Sequence, residues 1–151
     1  MDIMLVNAWR PFDRPVRDNP LAVLDWTSVH AARDLYRLPA GVPMALGEPP
    51  QRLAYNPAHR WLYVKAMRTD EVLFFKQGDT RLPPVPRLPA EGIAPADATA
   101  PAAASVSRFV FHTSFRLPGD PGGTQGHRSR RSLATRMLLL FKRGPTSCGR
   151  L

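Results

Sequence analysis

Cysteine is nearly absent from this chain: its 151 residues include one, Cys148, close to the C-terminal end. A single thiol excludes both a disulfide framework and a thiolate metal cluster, and it makes the cytoplasm the default compartment. Long apolar runs are missing too. None approaches the roughly 20 residues that a membrane-spanning helix requires, so no membrane partner is expected. Met1 to Trp9 is apolar but carries Asp2, lacks a basic n-region and lacks a small-residue cleavage site, so it does not read as a secretion signal. There is no phosphate-binding glycine loop, no zinc-type Cys/His spacing and no Gly-x-Ser-x-Gly elbow. Nucleotide, zinc and serine-hydrolase chemistry therefore drop out, and Cys148 has no ordered base near it to make it a nucleophile.

Acidic residues are scarce in the second half. Residues 1–80 carry ten Lys/Arg against nine Asp/Glu, whereas residues 81–151 carry eleven against three. The net charge of +9 thus belongs to the tail half and is almost entirely arginine. A nucleic-acid surface would use such a charge, but nine of the thirteen aromatic side chains lie in the near-neutral half, away from most of the arginines.

What is present alternates in a β manner. The length and the 44% apolar composition suit one domain with a core. Ile3 to Trp9 reads as a strand stopped by Pro11, and Leu21 to Trp26 as a second short apolar segment. Ser28 is a candidate N-cap for a helix over His30 to Tyr36, the one helical piece expected. From Arg52 onward Leu53, Tyr55, Trp61 and Tyr63 alternate, with Asn56-Pro57 as a turn, and Val72 to Lys76 follows the polar turn Thr69-Asp70-Glu71. A hairpin or meander is expected there, with Trp61 and Tyr63 as core residues. Asp70 and Glu71 read as solvated turn charges, because adjacent residues of a strand point to opposite faces.

Residues 82–107 differ in kind, with six prolines between Pro83 and Pro101 and eight alanines between Ala90 and Ala104. That composition builds neither a ladder nor a core, and reads as a flexible insert. Strand signal resumes at Arg108 to His112 and again at Leu133 to Lys142. The expected organisation is an N-terminal β-rich part over 1–81, the insert over 82–107, C-terminal strands over 108–143 bearing His112 and Arg130, and a disordered tail over 144–151.

Separated blocks of residues then carry a resemblance. They are Asn7-x-Trp9-Arg10-Pro11, Asp18-x-Pro20-Leu21-Ala22, Asp25, Ser28-Val29, Tyr55-Asn56-Pro57-x-His59-Arg60-Trp61-x-Tyr63, Met67, Asp70-Glu71-Val72, Phe75-Lys76, Asp79 and His112-Thr113-Ser114-Phe115. In this order they resemble the C-terminal half of the hydroxylase/desaturase family of aspergillic-acid-type hydroxylases, fungal gibberellin desaturases and CmcJ/NvfI-type oxidoreductases. The resemblance implies a mainly β, partial double-stranded β-helix of jelly-roll type. It also implies oxidation of a small, often secondary-metabolite, substrate with Fe(II) and 2-oxoglutarate.

Taken alone, His112 reads as a half-buried strand histidine bonded to backbone, and Arg128 to Arg131 as a solvated basic cluster. The resemblance makes His112 the distal iron ligand and Arg130 with Ser132 the clamp on the co-substrate carboxylate. Arg130 is preferred because the Arg-x-Ser spacing places both side chains on one strand face, where guanidinium and hydroxyl can bind a carboxylate together. The family has acidic residues where this chain has Arg131 and Ala134. Arg10 could meet a substrate carboxylate or pair with Asp18 or Asp25; no chemical role for His59-Arg60 follows from the residues.

The family's His-x-Asp motif, which supplies the other two iron ligands, has no counterpart. His30 precedes Ala-Ala, His59 precedes Arg-Trp, His112 precedes Thr-Ser and His127 precedes Arg-Ser. A facial triad needs two imidazoles and a carboxylate. The expectation is therefore a chain inactive by itself, or dependent on a missing N-terminal half. The alternatives are a small basic nucleic-acid-binding module and a non-functional gene fragment.

Overall fold

A computed structural model of the chain describes residues 1–37, 51–82, 108–117 and 130–142. Nearly all of the Pro/Ala-rich insert, the tail over 144–151, Cys148 and His127 lie outside the described residues.

Strand β1 (Asp2–Pro11) forms the centre of the first sheet. Its alternation sends Asn7, Trp9 and Pro11 to a buried face, and Pro11, which lacks an N–H to donate, ends it. β1 pairs antiparallel with β6 (Leu73–Asp79) on one side and with β8 (Ser132–Phe141) on the other. The β1/β8 ladder runs without a break from Asp2 opposite Phe141 to Pro11 opposite Ser132. The β1/β6 ladder shifts register between Leu5 and Val6.

The second sheet is built around β2 (Leu21–Leu24), flanked by β5 (Trp61–Tyr63) and β7 (His112–Ser114). A third pair joins β3 (Leu35–Arg37) to β4 (Gln51–Leu53). Consecutive strands β5 to β8 thus alternate between the two larger sheets, as β1 and β2 do. This is the winding of a double-stranded β-helix, and it places the core between the sheets. Trp9, Phe75, Leu21, Val16 and Met67 bury together there, with Val23, Leu73 and Val110 against them. Each such side chain contributes about 1.5–3 kcal/mol of transfer free energy. A second cluster of Leu24, Val29, Ala31 and Leu35 packs behind β2 with Trp26, Leu53 and Phe111. No helix among the described residues is long and apolar enough to cross a membrane.

Several expectations need correction. The helix is only Ala31–Asp34, preceded by a 3-10 turn at Trp26–Ser28. Its first turn closes when the Asp34 carboxylate accepts the backbone N–H of the N-cap residue His30 at 2.8 Å. Leu35 is then drawn into the second cluster, which turns the chain into β3 instead of extending the helix. Ser28 caps nothing: its hydroxyl donates to the Asp25 carbonyl and accepts the Arg60 N–H. Strands β4, β5 and β6 do not form a meander either, because each pairs with a strand from the first 37 residues.

Phe109 to Phe111 precede β7 and lie outside it, so His112 begins a strand where it was expected to end one. The reason is local: the Val110 N–H donates to Lys76 of the first sheet while the Phe111 carbonyl accepts from Leu24 of the second. A segment that bonds to both sheets in turn cannot continue one ladder. Trp61 and Tyr63 are not core residues, each being 39% exposed. They stand opposite Leu24 and Ala22, on the face of the second sheet turned away from the first, where Tyr63 covers Phe115 edge-on at 5.1 Å.

Candidate functional site

The site lies between the two sheets. In an antiparallel pair, directly opposite residues share a face. The buried side of β1 therefore defines rows across the first sheet: Phe75, Asn7 and Arg136 in one, Leu73, Trp9 and Ala134 in the next, and Pro11 with Ser132 at the end. From the facing sheet His112, opposite Val23, comes down on Phe75 with the two rings 4.6 Å apart.

His112 is exposed at the rim of this cleft. Its Nδ1 lies 3.2 Å from the Val110 carbonyl oxygen. The carbonyl only accepts, whereas the Gln77 amide Nε2, also 3.2 Å from Nδ1, only donates, so the two contacts belong to different tautomers of the ring. In the tautomer that donates to Val110, Nε2 keeps its lone pair, as a metal-ligating imidazole needs.

Arg130 lies in the segment leading into β8, one residue short of the strand, so it and Ser132 are not held on a common strand face. Its position is set by the turn at Asp18 and Asn19. The buried Asp18 carboxylate accepts the Arg130 backbone N–H at 2.8 Å, and the Asn19 carbonyl accepts from Nη1. Asn19 sits in the left-handed region at φ 42°, which asparagine tolerates better than most residues. The guanidinium carbon lies 5.2 Å over the Trp9 ring, and Nε is buried with no partner among the described residues. Burial pulls the Arg130 pKa below its ordinary value, against the opposing charge of Asp18. Ser132 opens β8 and is exposed, and its side chain makes no hydrogen bond among the described residues.

Of the two cluster arginines described here, Arg131 is solvated as the basic-cluster reading expects and Arg130 is not. Arg130 turns inward over Trp9, while Arg131 turns outward to Asp13 at 3.3 Å and over the Phe12 ring at 5.0 Å. Arg10 pairs with neither Asp18 nor Asp25; its Nη2 donates to the Thr69 carbonyl at 2.7 Å. Asp70 and Glu71 are turn charges as expected, tied to Arg68 at 2.5 Å and 2.6 Å.

A carboxylate fits beside Arg130, whose buried Nε is an unused donor. Iron does not fit the described residues alone: they contain no group of three His, Cys, Asp or Glu that could hold a metal. His59 is committed elsewhere. Its Nε2 meets Asp34 at 3.0 Å, and both side chains are 3% exposed.

Asp34 is the residue that sequence reasoning missed. Beside His59 and the His30 N–H it accepts from Arg33 at 2.9 Å and from Asn56 at 3.1 Å. Burial pushes its carboxyl up, but these donors together outweigh burial and hold it well below the usual carboxylate range. The neighbouring Arg60 grips Asp25 at 2.8 Å and Thr27 at 2.7 Å. The Thr27 hydroxyl and then Arg60 lower the Asp25 pKa to about 2. The Asn56-to-Arg60 block is thus a clip that fastens the β4–β5 turn to the short helix. The sequence signal was its density of donors, but its acceptors lie 22 to 35 residues away.

A family model described as the oxidoreductase/YMDC permease-like domain matches residues 2–140. The chain belongs to that family. Its curated relatives are fungal hydroxylase/desaturases and related oxygenases. "Hydroxylase/desaturase efuI" of Hormonema carpetanum is 38% identical over 87 residues, which cover 52% of this chain and 29% of that protein. "Alpha-ketoglutarate-dependent dioxygenase phiK" of a fungal species is 31% identical over 138 residues, covering 91% of this chain and 41% of that protein. A variant of the "iron and alpha-ketoglutarate-dependent endoperoxidase NvfI" superposes with a TM-score of 0.60 at 25% identity, over 94% of this chain and 44% of that one. The chain therefore spans less than half the length of each of these members of its family.

Proposed function

We propose that this chain is the co-substrate-binding half of an oxidoreductase that hydroxylates or desaturates a small metabolite with iron(II) and 2-oxoglutarate. Arg130 holds the distal carboxylate of the co-substrate, Ser132 adds a hydroxyl donor, and His112 offers Nε2 as one iron ligand. The observation that carries this reading is the Arg130 Nε, buried over Trp9 without a partner among the described residues. A guanidinium desolvated at such a position is stabilised by a carboxylate that accepts from two of its N–H groups. The alpha-ketoglutarate-dependent dioxygenase and the iron and alpha-ketoglutarate-dependent endoperoxidase to which the chain is similar support the same chemistry.

Iron(II) with 2-oxoglutarate and oxygen supplies the oxidising power in such enzymes. The residues described here bind and orient: the Asp18–Asn19 turn aims Arg130, and the Val110 carbonyl and the Gln77 amide hold the His112 ring at Nδ1. A second imidazole and a carboxylate must come from residues other than those described.

Calorimetric titration of the full chain with 2-oxoglutarate tests the clamp. Binding is expected for the natural chain, with about a tenfold or greater loss for Arg130→Ala and a smaller loss for Arg130→Lys, which keeps the charge but not the fork. Unchanged affinity in Arg130→Ala removes the clamp. An anaerobic titration with iron(II) and 2-oxoglutarate is expected to give no visible charge-transfer band; a band would show that the chain completes the metal site alone.

A further inference from the structure

One cation on the same face has no role in the clamp. Arg136 lies near the middle of β8, directly across from Asn7, which in turn stands across from Phe75 under the His112 ring. By its register it stands on the same face of β8 as Ala134 and Leu138, all three exposed, and its side chain makes no ion pair or hydrogen bond among the described residues. Asn7 is 6% exposed, and its Oδ1 is buried without a partner among the described residues. A free guanidinium beside a buried, unused amide oxygen is a polar pair that the fold does not consume.

The pair is too far away to serve the co-substrate. Six residues separate Arg130 from Arg136, and at about 3.4 Å per residue their Cα atoms lie roughly 20 Å apart. Side chains of a strand stand roughly perpendicular to the sheet, so the two guanidinium groups keep most of that separation and one five-carbon diacid does not bridge them. Across the sheet the distances are shorter. Phe75 and Arg136 are two strands apart, which at about 4.8 Å per strand is roughly 10 Å. A small molecule can therefore reach from Arg136 to the region of His112 Nε2 over the Asn7 row.

We propose that Arg136 and Asn7 form a substrate subsite for a small carboxylic acid. Arg136 takes the carboxylate bidentately, Asn7 Oδ1 accepts a hydroxyl or amide hydrogen near the acid group, and the apolar body lies along the row toward His112. This names the substrate class for the function proposed above and rests on that reading for its orientation toward His112.

Titration of the full chain with 3-phenylpropionate and with its neutral amide, 3-phenylpropionamide, tests it. The acid is expected to bind about tenfold or more tightly than the amide. Arg136→Ala should abolish that preference, Arg136→Lys should restore part of it, and neither should alter 2-oxoglutarate affinity. Arg136 is exposed, so both variants should keep the fold, which their circular dichroism checks. Equal binding of acid and amide, no binding of the acid, or an unchanged preference in Arg136→Ala overturns the subsite. Loss of 2-oxoglutarate binding in Arg130→Ala with an intact acid preference leaves both proposals standing. An acid preference abolished by Arg130→Ala but not by Arg136→Ala assigns the carboxylate to the clamp and overturns the subsite.

Discussion

Replacing Asp34 by alanine should destabilise the fold more than replacing any candidate site residue. The Asp34 carboxylate is buried and accepts from the His30 N–H at 2.8 Å, Arg33 Nε at 2.9 Å, His59 Nε2 at 3.0 Å and Asn56 Nδ2 at 3.1 Å. The Arg33 side chain is 45% exposed and can turn to water, so its loss costs little. The other three donors are enclosed, and a buried donor left without a partner costs about 1–3 kcal/mol. Taking the low end for each gives about 3 kcal/mol, and breaking a buried charge–partner pair typically costs about 3–5 kcal/mol. The expected loss for Asp34→Ala is therefore about 3–5 kcal/mol, read from urea unfolding at constant slope. In a double-mutant cycle with His59→Ala, the double variant should cost clearly less than the sum of the singles, because each single orphans the other's partner. A loss below about 1 kcal/mol, or strict additivity in the cycle, would refute the claim that this network fastens the β4–β5 turn.

Acid should unfold the protein through the same kind of group. Hydrogen bonds from Arg81, opposed by burial, hold the Asp79 carboxyl at about 2, below its ordinary value. A depressed carboxylate stabilises the fold above its unfolded pKa near 4, and that stabilisation is lost as pH falls from about 4 toward 2. Thermal melts across that window should show the loss, and Asp79→Asn should flatten the profile. Ala66 holds a left-handed φ of 50°, which costs a non-glycine residue about 1 kcal/mol, so Ala66→Gly should raise the urea midpoint; a lowered midpoint contradicts the assigned strain. Phe75→Ala removes a core ring and the support of His112, and should cost about 3–5 kcal/mol while shifting the His112 ring resonances; unchanged resonances would separate Phe75 from the site.

The strand character of this chain was legible in its alternation. β1 and β8 fall within two residues, and β6 within three, of where the apolar spacing places them, because side-chain period along a strand is a local property. The family blocks also pointed to His112 and Arg130 before any pairing was known. Three local readings failed for tertiary reasons. Leu35 left the helix for a core cluster, His112 moved to the start of its strand when Val110 and Phe111 bonded to different sheets, and Trp61 and Tyr63 took the uncovered face of β5. Asp34 was invisible as a hub because nothing in Ala-Arg-Asp-Leu distinguishes it from a solvated helix acid.

By itself the sequence determined the class of fold, the lack of a His-x-Asp motif within these 151 residues and the residues worth watching. Only the tertiary structure decided what holds them. Arg130 is aimed by a carboxylate 112 residues earlier in the chain, and Arg136 faces Asn7 because β8 pairs with β1 in one register and no other. Local patterning follows from the geometry of a single strand. Which cation meets which buried acceptor depends on pairings between distant segments, whose closure entropy is offset only once both sheets and their shared core are in place.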